Sequence, residues 1–309
     1  MAGSRRVLDV TRRRKRLSVT RWIFPYLFLL PTFVLIGVFS YYPAASALYH
    51  SFTDWNGITR PRFLWLDNFA EMTGDKTLVA SLSNMGIVTA WSLFITLTMP
   101  FLVAELIYAV RNERASYWYR LLFVIPIVVP WVVTLLVWSF IYNPDVGLLS
   151  AFTKAIGITK EFRWLGDPNM ALYCLMFIGF PFAAGTNVLI YLAGLQGIDE
   201  SIIDAASLDG AVGFRRVIHV DLPMISGQIR LLAVLAIIGG IQGYGSQYVL
   251  TRGGPGYATM VPGMWLYTTA FTFMRMGYAS AIGTAMFLVI LGLTVATMHY
   301  TESAVQVGN

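Results

Sequence analysis

Charged residues fall along this chain in clusters, and the uncharged stretches between them are long. They run from Trp22 to Thr53, Thr77 to Ala104, Leu121 to Pro144, Pro168 to Ile198, Leu231 to Thr251, Gly253 to Met274 and Met276 to Thr301. A helix crossing the hydrocarbon of a bilayer needs about 20 apolar residues, so each run is a candidate span. The Gly253 to Met274 run is the exception, because only Arg252 and Arg275 separate it from its neighbours. A chain cannot reverse across a bilayer in one residue, and Gly253, Gly254, Pro255, Gly256, Pro262 and Gly263 interrupt helix there. That run reads as a loop followed by a short segment at the membrane surface. The pattern therefore predicts an all-α integral membrane protein with six transmembrane helices.

Composition agrees. Of 309 residues 57% are hydrophobic and 12% charged, about half the charge of a soluble domain. The single cysteine, Cys174, excludes a disulfide framework or a multi-thiolate metal site within the chain, and its apolar surroundings read as packing. The net charge of +6 is concentrated at the start, where Arg5, Arg6, Arg12, Arg13, Arg14, Lys15, Arg16 and Arg21 precede the first run. Cytoplasmic segments carry the excess of Lys and Arg, so both termini are placed in the cytoplasm, with 14 basic residues inside and eight outside. The two interior loops do not discriminate by themselves, and the tail carries the argument. A nucleic-acid arm is the rival for residues 5 to 21, but the tail joins a span directly. The first run has 32 uncharged residues, longer than the core of a cleavable signal, and reads as a retained anchor. The expected organisation is a cytoplasmic basic tail over 1–21, a membrane domain over 22–301 and a cytoplasmic tail over 302–309.

The inside segment between spans four and five departs from this pattern, since residues 196–230 hold five acids and three basic residues. Asp199 is placed to cap a helix starting at Glu200, Ala205 and Ala206 give it a small-residue surface, and Gly210 stops it. Phe214, Val217 and Ile218 then recur at helical spacing with Arg215 and Arg216 turned away, before Leu222 and Pro223 lead into span five. Two short helices about a glycine corner suit docking against another protein, and an amphipathic connector without a partner is the bland alternative.

The run Asp204-Ala205-Ala206-Ser207-Leu208-Asp209-Gly210, nine residues, then Val220-Asp221-Leu222-Pro223 resembles the EAA loop of permease subunits in binding-protein-dependent ABC importers, closest to the maltose-type sugar branch. Leu195-Gln196, Asn143-Pro144 with Gly147-Leu148-Leu149, and Tyr248-Val249-Leu250-Thr251 with Gly253-Gly254-Pro255 extend the likeness over roughly residues 25 to 301. Asp204 stands where that family usually has Glu, and Asp199 where Pro is common. The resemblance implies a cytoplasmic coupling helix within loop 196–223, with Asp204, Ala205, Ala206, Asp209, Gly210 and Phe214 meeting an ATPase. It also implies a second permease subunit, two ATPase subunits, an external solute-binding protein and a bacterial or archaeal cytoplasmic membrane. ATP and magnesium would sit on the ATPase: this sequence has no G-x-x-x-x-G-K-[ST], and no cofactor or metal is expected on the chain itself.

Polar and small residues inside spans cost free energy against lipid and tend to face a cavity or another helix. Span four offers Gly179, Pro181, Gly185, Thr186 and Asn187, and span five Gly239, Gly240, Gln242, Gly243, Tyr244 and Gln247. Asn187, Gly240, Gln242, Gly243, Tyr244 and Gln247 are the expected substrate path, since amides bond sugar hydroxyls and aromatic faces cover ring edges. Helix packing is the alternative for each glycine. The outer loop Asp54 to Lys76, with Trp55, Arg60, Arg62, Trp65, Asp67, Asn68 and Phe69, suits a docking soluble protein or an interfacial aromatic belt. The reading is a permease that imports a carbohydrate. Rival readings are an ion-coupled secondary transporter, disfavoured because the six runs hold no Asp, Glu, Lys or Arg, and a same-family permease for glycerol phosphate or a polyol.

Overall fold

The computed structural model describes residues 19–302, with side chains over 26–297. The basic residues before Val19 and the last seven residues lie outside the described residues, so of the two expected tails only Val19 to Arg21 and Glu302 are described. The chain divides into a unit over residues 1–49 and a unit over residues 50–309. The first is helical throughout its described part: α1 (Val19–Ile36), a π turn (Gly37–Tyr41) and the start of α2 (Tyr42–His50).

In the second unit, α3 (Asp67–Gly74) leads into α4 (Lys76–Tyr108), the longest helix, about 50 Å at 1.5 Å per residue. Its start is set by Asp75, whose Oδ1 accepts from the Thr77 and Leu78 N–H groups at 3.0 and 3.1 Å. After α5 (Glu113–Val124) the chain turns through 90° into α6 (Trp131–Ile141). The expected straight span Leu121 to Pro144 is thus a bent pair. Pro126 and Pro130 explain it, since neither can donate a helical hydrogen bond. A short α7 (Leu148–Ala155) follows. The expected fourth span is also divided, into α8 (Ala171–Met176) and α9 (Gly185–Gln196). Between them Gly179 and Phe182 have φ of +91° and +67°, outside helical geometry.

The loop region is α10 (Glu200–Leu208), α11 (Phe214–Arg216), a π turn (Val217–Asp221) and α12 (Leu222–Met224). Then come α13 (Ser226–Gln242), α14 (Gly245–Leu250), α15 (Pro262–Phe271) and α16 (Met276–Glu302). At ten residues α15 is about 15 Å long, too short to cross a bilayer, in keeping with the exclusion of the Gly253 to Met274 run. Four helical stretches among the described residues are long and apolar enough to cross: Tyr26–His50, Lys76–Tyr108, Ser226–Leu250 and Met276–Thr297. The bent pair makes a fifth. Strand-like pairing among the described residues is an isolated bridge, Thr53 with Phe63.

α4 is the central element, packing against α9 and α13. Phe101, Ala104 and Ile107 of α4 form one apolar core with Val188, Tyr191, Leu192 and Leu195 of α9 and with Ile225 and Leu232. Cys174 is buried in a second cluster with Leu135, Tyr142 and Leu175, which is the packing role its apolar run indicated. At the Lys76 end, Asp75 also joins three elements: its Oδ2 accepts from Trp265 Nε1 at 2.7 Å and from the Tyr278 hydroxyl at 2.8 Å. Arg275 grips Glu71 with two hydrogen bonds of 2.7 and 2.6 Å. The Gly277 N–H donates to Trp55 O at 2.7 Å, and a Cβ at Gly277 would strike the Thr53 carbonyl.

Partial burial of Asp75 opposes ionisation, but the hydrogen bonds from Leu78, Trp265, Tyr278 and Thr77 outweigh it and hold the carboxyl below its ordinary range. Its stabilising contribution is therefore complete above the ordinary carboxylate range and is lost as pH falls through the lower folded-state value. Asp75→Ala is expected to cost about 2 kcal/mol, as a lost cap with partly screened hydrogen bonds. Thermal unfolding of the detergent-solubilised protein at neutral pH checks this, and the difference between the two proteins should shrink in strong acid.

Candidate functional site

Three helix interruptions converge on one cavity of about 360 Å³, within the range of small-molecule sites, about 300 to 1,000 Å³. Trp131 enters from the α5–α6 bend, Leu175, Met176, Ile178 and Phe182 from the α8–α9 break, and Gly243, Tyr244 and Gly245 from the α13–α14 break. The fourth wall is α4, with Val88, Trp91, Ser92, Ile95 and Thr96. Trp91 ties α4 to a break, because its Nε1 donates to Met176 O at 2.9 Å, while Phe182 meets its ring edge-on at 5.7 Å. None of the lining residues is Asp, Glu, Lys, Arg or His. Hydroxyls, an amide and aromatic faces give the cavity its polarity.

Of the expected path residues, Gly240, Gly243, Tyr244 and Gln247 line this cavity. Gln242 is exposed and Asn187 half-buried, and neither lines it. Gln242 lies two residues after Gly240, about 200° around the helix, so the two do not share a face. Gly240 also serves packing: a Cβ there would lie 2.9 Å from the Thr89 Cα, so α13 and α4 approach closely only because it is glycine. Sequence reasoning missed Trp91, Ser92 and Thr96. The signal was present, as a tryptophan and two hydroxyls spaced along one apolar run.

In the polar loop, Asp199 caps α10 by accepting from the Ser201 N–H at 2.8 Å. The Ser201 hydroxyl and N–H keep its carboxyl below the ordinary range. Gly210 ends the segment with φ of +77°, and the Gly210 and Ala211 N–H groups close back onto Ser207 O and Ala206 O at 3.1 and 2.8 Å, a glycine-centred C-cap. Asp204, Ala205, Asp209 and Phe214 are exposed, with Leu208 at 90% and Phe214 at 78%. Three expectations are corrected. Ala206 is buried against the chain's own body, so Ala205 alone of the pair faces outward. Phe214 points outward and does not join half-buried Val217. Arg216 is not turned away but turns inward, its Nε donating to Asp221 Oδ2 at 3.0 Å. The physical reason is the π turn Val217–Asp221, whose wider pitch brings residues five apart opposite each other.

Residues 97–305 match the family described as binding-protein-dependent transport system inner membrane component. The chain belongs to this family. Among its relatives, the probable ABC transporter permease protein YurN of Bacillus subtilis is 31% identical over 91% of this chain and 97% of its own. The diacetylchitobiose uptake system permease protein NgcF of Streptomyces coelicolor is 29% identical over 90% and 82%. The sn-glycerol-3-phosphate transport system permease protein UgpA of Agrobacterium fabrum is 29% identical over 93% and 97%. The fold is shared with a chain of a bacterial ABC transporter involved in the import of the acidic polysaccharide alginate. That match has a TM-score of 0.81 and 20% identity, covering 92% of this chain and 97% of that one.

As a permease of this family the protein depends on close helix contact around its cavity. Gly240→Val is expected to lower its unfolding midpoint by forcing α13 from Thr89, at about 1–3 kcal/mol. Gly239→Ala, where a Cβ meets nothing within 4 Å, should be neutral or stabilising by up to about 1 kcal/mol. Parallel unfolding curves in one detergent measure the contrast.

Proposed function

We propose that this permease forms part of the membrane path for a neutral carbohydrate, delivered by an external solute-binding protein and driven by ATP hydrolysis on separate subunits. The observation that carries the substrate class is the cavity: aromatic faces and neutral hydrogen-bonding groups line it, without an ionised side chain. Sugars present apolar ring faces and many hydroxyls, which stacking on Trp91 and Tyr244 and bonding to Ser92, Thr96, Ser246 and Gln247 would satisfy. A phosphate or uronate would lose its hydration there with no cation in return. A diacetylchitobiose permease among the relatives supports a saccharide, and the cavity's neutrality favours that over the glycerol phosphate of another.

In this reading the chain crosses the membrane six times. The α8–α9 pair counts as one broken span, both termini are cytoplasmic, and α15 lies at the outer side. The loop 196–223 is the coupling segment. Its exposed acids Asp204 and Asp209 and its exposed apolar Leu208, Val212 and Phe214 suit a groove with basic edges on an ATPase, with Ala205 allowing close approach and Gly210 forming the corner. A second permease completes the path, two ATPase subunits carry ATP and magnesium, and the solute-binding protein meets the Asp54 to Lys76 loop and the Gly253 to Gly256 turn. The site is the cytoplasmic membrane of a bacterium or archaeon.

Uptake into vesicles holding the complete importer tests the substrate class. Neutral oligosaccharides are expected to be accumulated and glycerol phosphate refused, and preference for the phosphate ester would overturn the carbohydrate reading. Trp91→Leu should raise KM about tenfold through lost stacking. Asp204→Lys tests the docking role, since it should abolish recovery of the ATPase with the permease on affinity purification. Recovery and uptake at wild-type levels would remove Asp204 from the interface.

A further inference from the structure

The charge cluster beneath the coupling segment has no part in the cavity or in the exposed docking face. Asp221 is fully buried, with one carboxylate oxygen held by Arg216 and the other, Oδ1, buried without a hydrogen-bond partner. Glu105, on the last turn of α4, likewise has a buried oxygen, Oε1, without a partner. The charges of Asp221 and Arg216 both act on Glu105, and the Arg216 guanidinium lies over the Tyr108 ring at 5.5 Å. Glu105 and Tyr108 are three residues apart on α4 and so share a face. Beside them Ile107, Tyr108, Val217, Leu222 and Ile225 belong to one apolar core, which joins this turn of α4 to the end of the coupling segment.

One guanidinium therefore bonds the Asp221 carboxylate and lies over Tyr108, one turn of α4 from the Glu105 carboxyl, and both carboxyl groups have an unused buried oxygen. An arginine fork carries five N–H donors, and Asp221 engages only the Nε of Arg216. A buried acceptor without a donor is costly, so the arrangement favours any movement of the loop that carries the fork toward Glu105. We propose that Arg216 and Glu105 are positioning residues that carry motion of the coupling segment into α4, with Asp221 holding Arg216 in the arrangement described. α4 makes the link consequential, because the helix that bears Glu105 also bears Trp91, Ser92 and Thr96 of the cavity wall. Thr96 lies nine residues before Glu105, about 13 Å along the axis. Displacement at one end of α4 is thus felt at the substrate wall without passing through a loop.

This inference rests on the transport reading above, and the test separates the two. Asp221→Asn would leave Arg216 buried without its counter-charge and endanger folding, so the informative variant is Glu105→Gln, which is isosteric and leaves the Arg216–Asp221 hydrogen bond in place. It is measured in the complete importer, with both permeases, ATPases and binding protein, as substrate transported per ATP hydrolysed. The ratio is expected to fall about tenfold with the complex intact and hydrolysis still stimulated by loaded binding protein, and Glu105→Asp should restore part of it. A wild-type ratio in Glu105→Gln would overturn the proposal. Loss of assembly, or equal loss of hydrolysis and transport, would also overturn it by making Glu105 merely structural. A wild-type complex that hydrolyses ATP without moving substrate would overturn the transport reading itself, and this inference with it.

Discussion

A peptide group that loses its helical partner inside a bilayer must find another within the protein, since hydrocarbon offers none. Three interruptions in this fold answer to that constraint. The α5–α6 bend, the α8–α9 break and the α13–α14 break each free backbone groups, and all three are gathered around the same cavity. There the freed groups meet side chains, as Met176 O meets the Trp91 indole. Irregular backbone and the cavity therefore go together: the three breaks line the cavity, and side-chain hydroxyls, an amide and aromatic faces give it its polarity.

α4 is the counterpart, a continuous helix from a carboxylate cap at Asp75 to a carboxyl cluster at Glu105. Its continuity through Pro100 lets one element meet the network at Asp75, the cavity and the 196–223 loop in turn. Small residues make this possible, with Gly240 admitting α13 against Thr89, as is common where helices meet without a hydrophobic driving force between them.

Much of this was legible from where charges sit. Uncharged runs located the long helices, Asp199 and Gly210 announced both ends of α10, and the glycine-rich stretch after Arg252 excluded a span. The parts that escaped share a cause, which is helical phase. Arg216 was placed outward on a 3.6-residue period, whereas a π turn rotates it inward to Asp221. Gln242 was grouped with Gly243 by adjacency, yet the helix ends between them and only one lines the cavity. Pro126 and Pro130 were visible, but the right angle they permit depends on what packs against the bend. Trp91 stood out as a polar-tipped ring in an apolar run, but its role depends on a carbonyl 85 residues away, which the run does not reveal.

The network around Gly277 and Arg275 bears on how the loop from Thr53 to Asp75 could be recognised. The loop from Thr53 to Asp75 is fastened by backbone hydrogen bonds, a bidentate ion pair and a glycine that leaves no room for slack. A surface ordered in advance gives up little conformational freedom when something settles on it. On the proposed reading, few contacts would then suffice for a delivering protein to be recognised there, because the surface needs no ordering first.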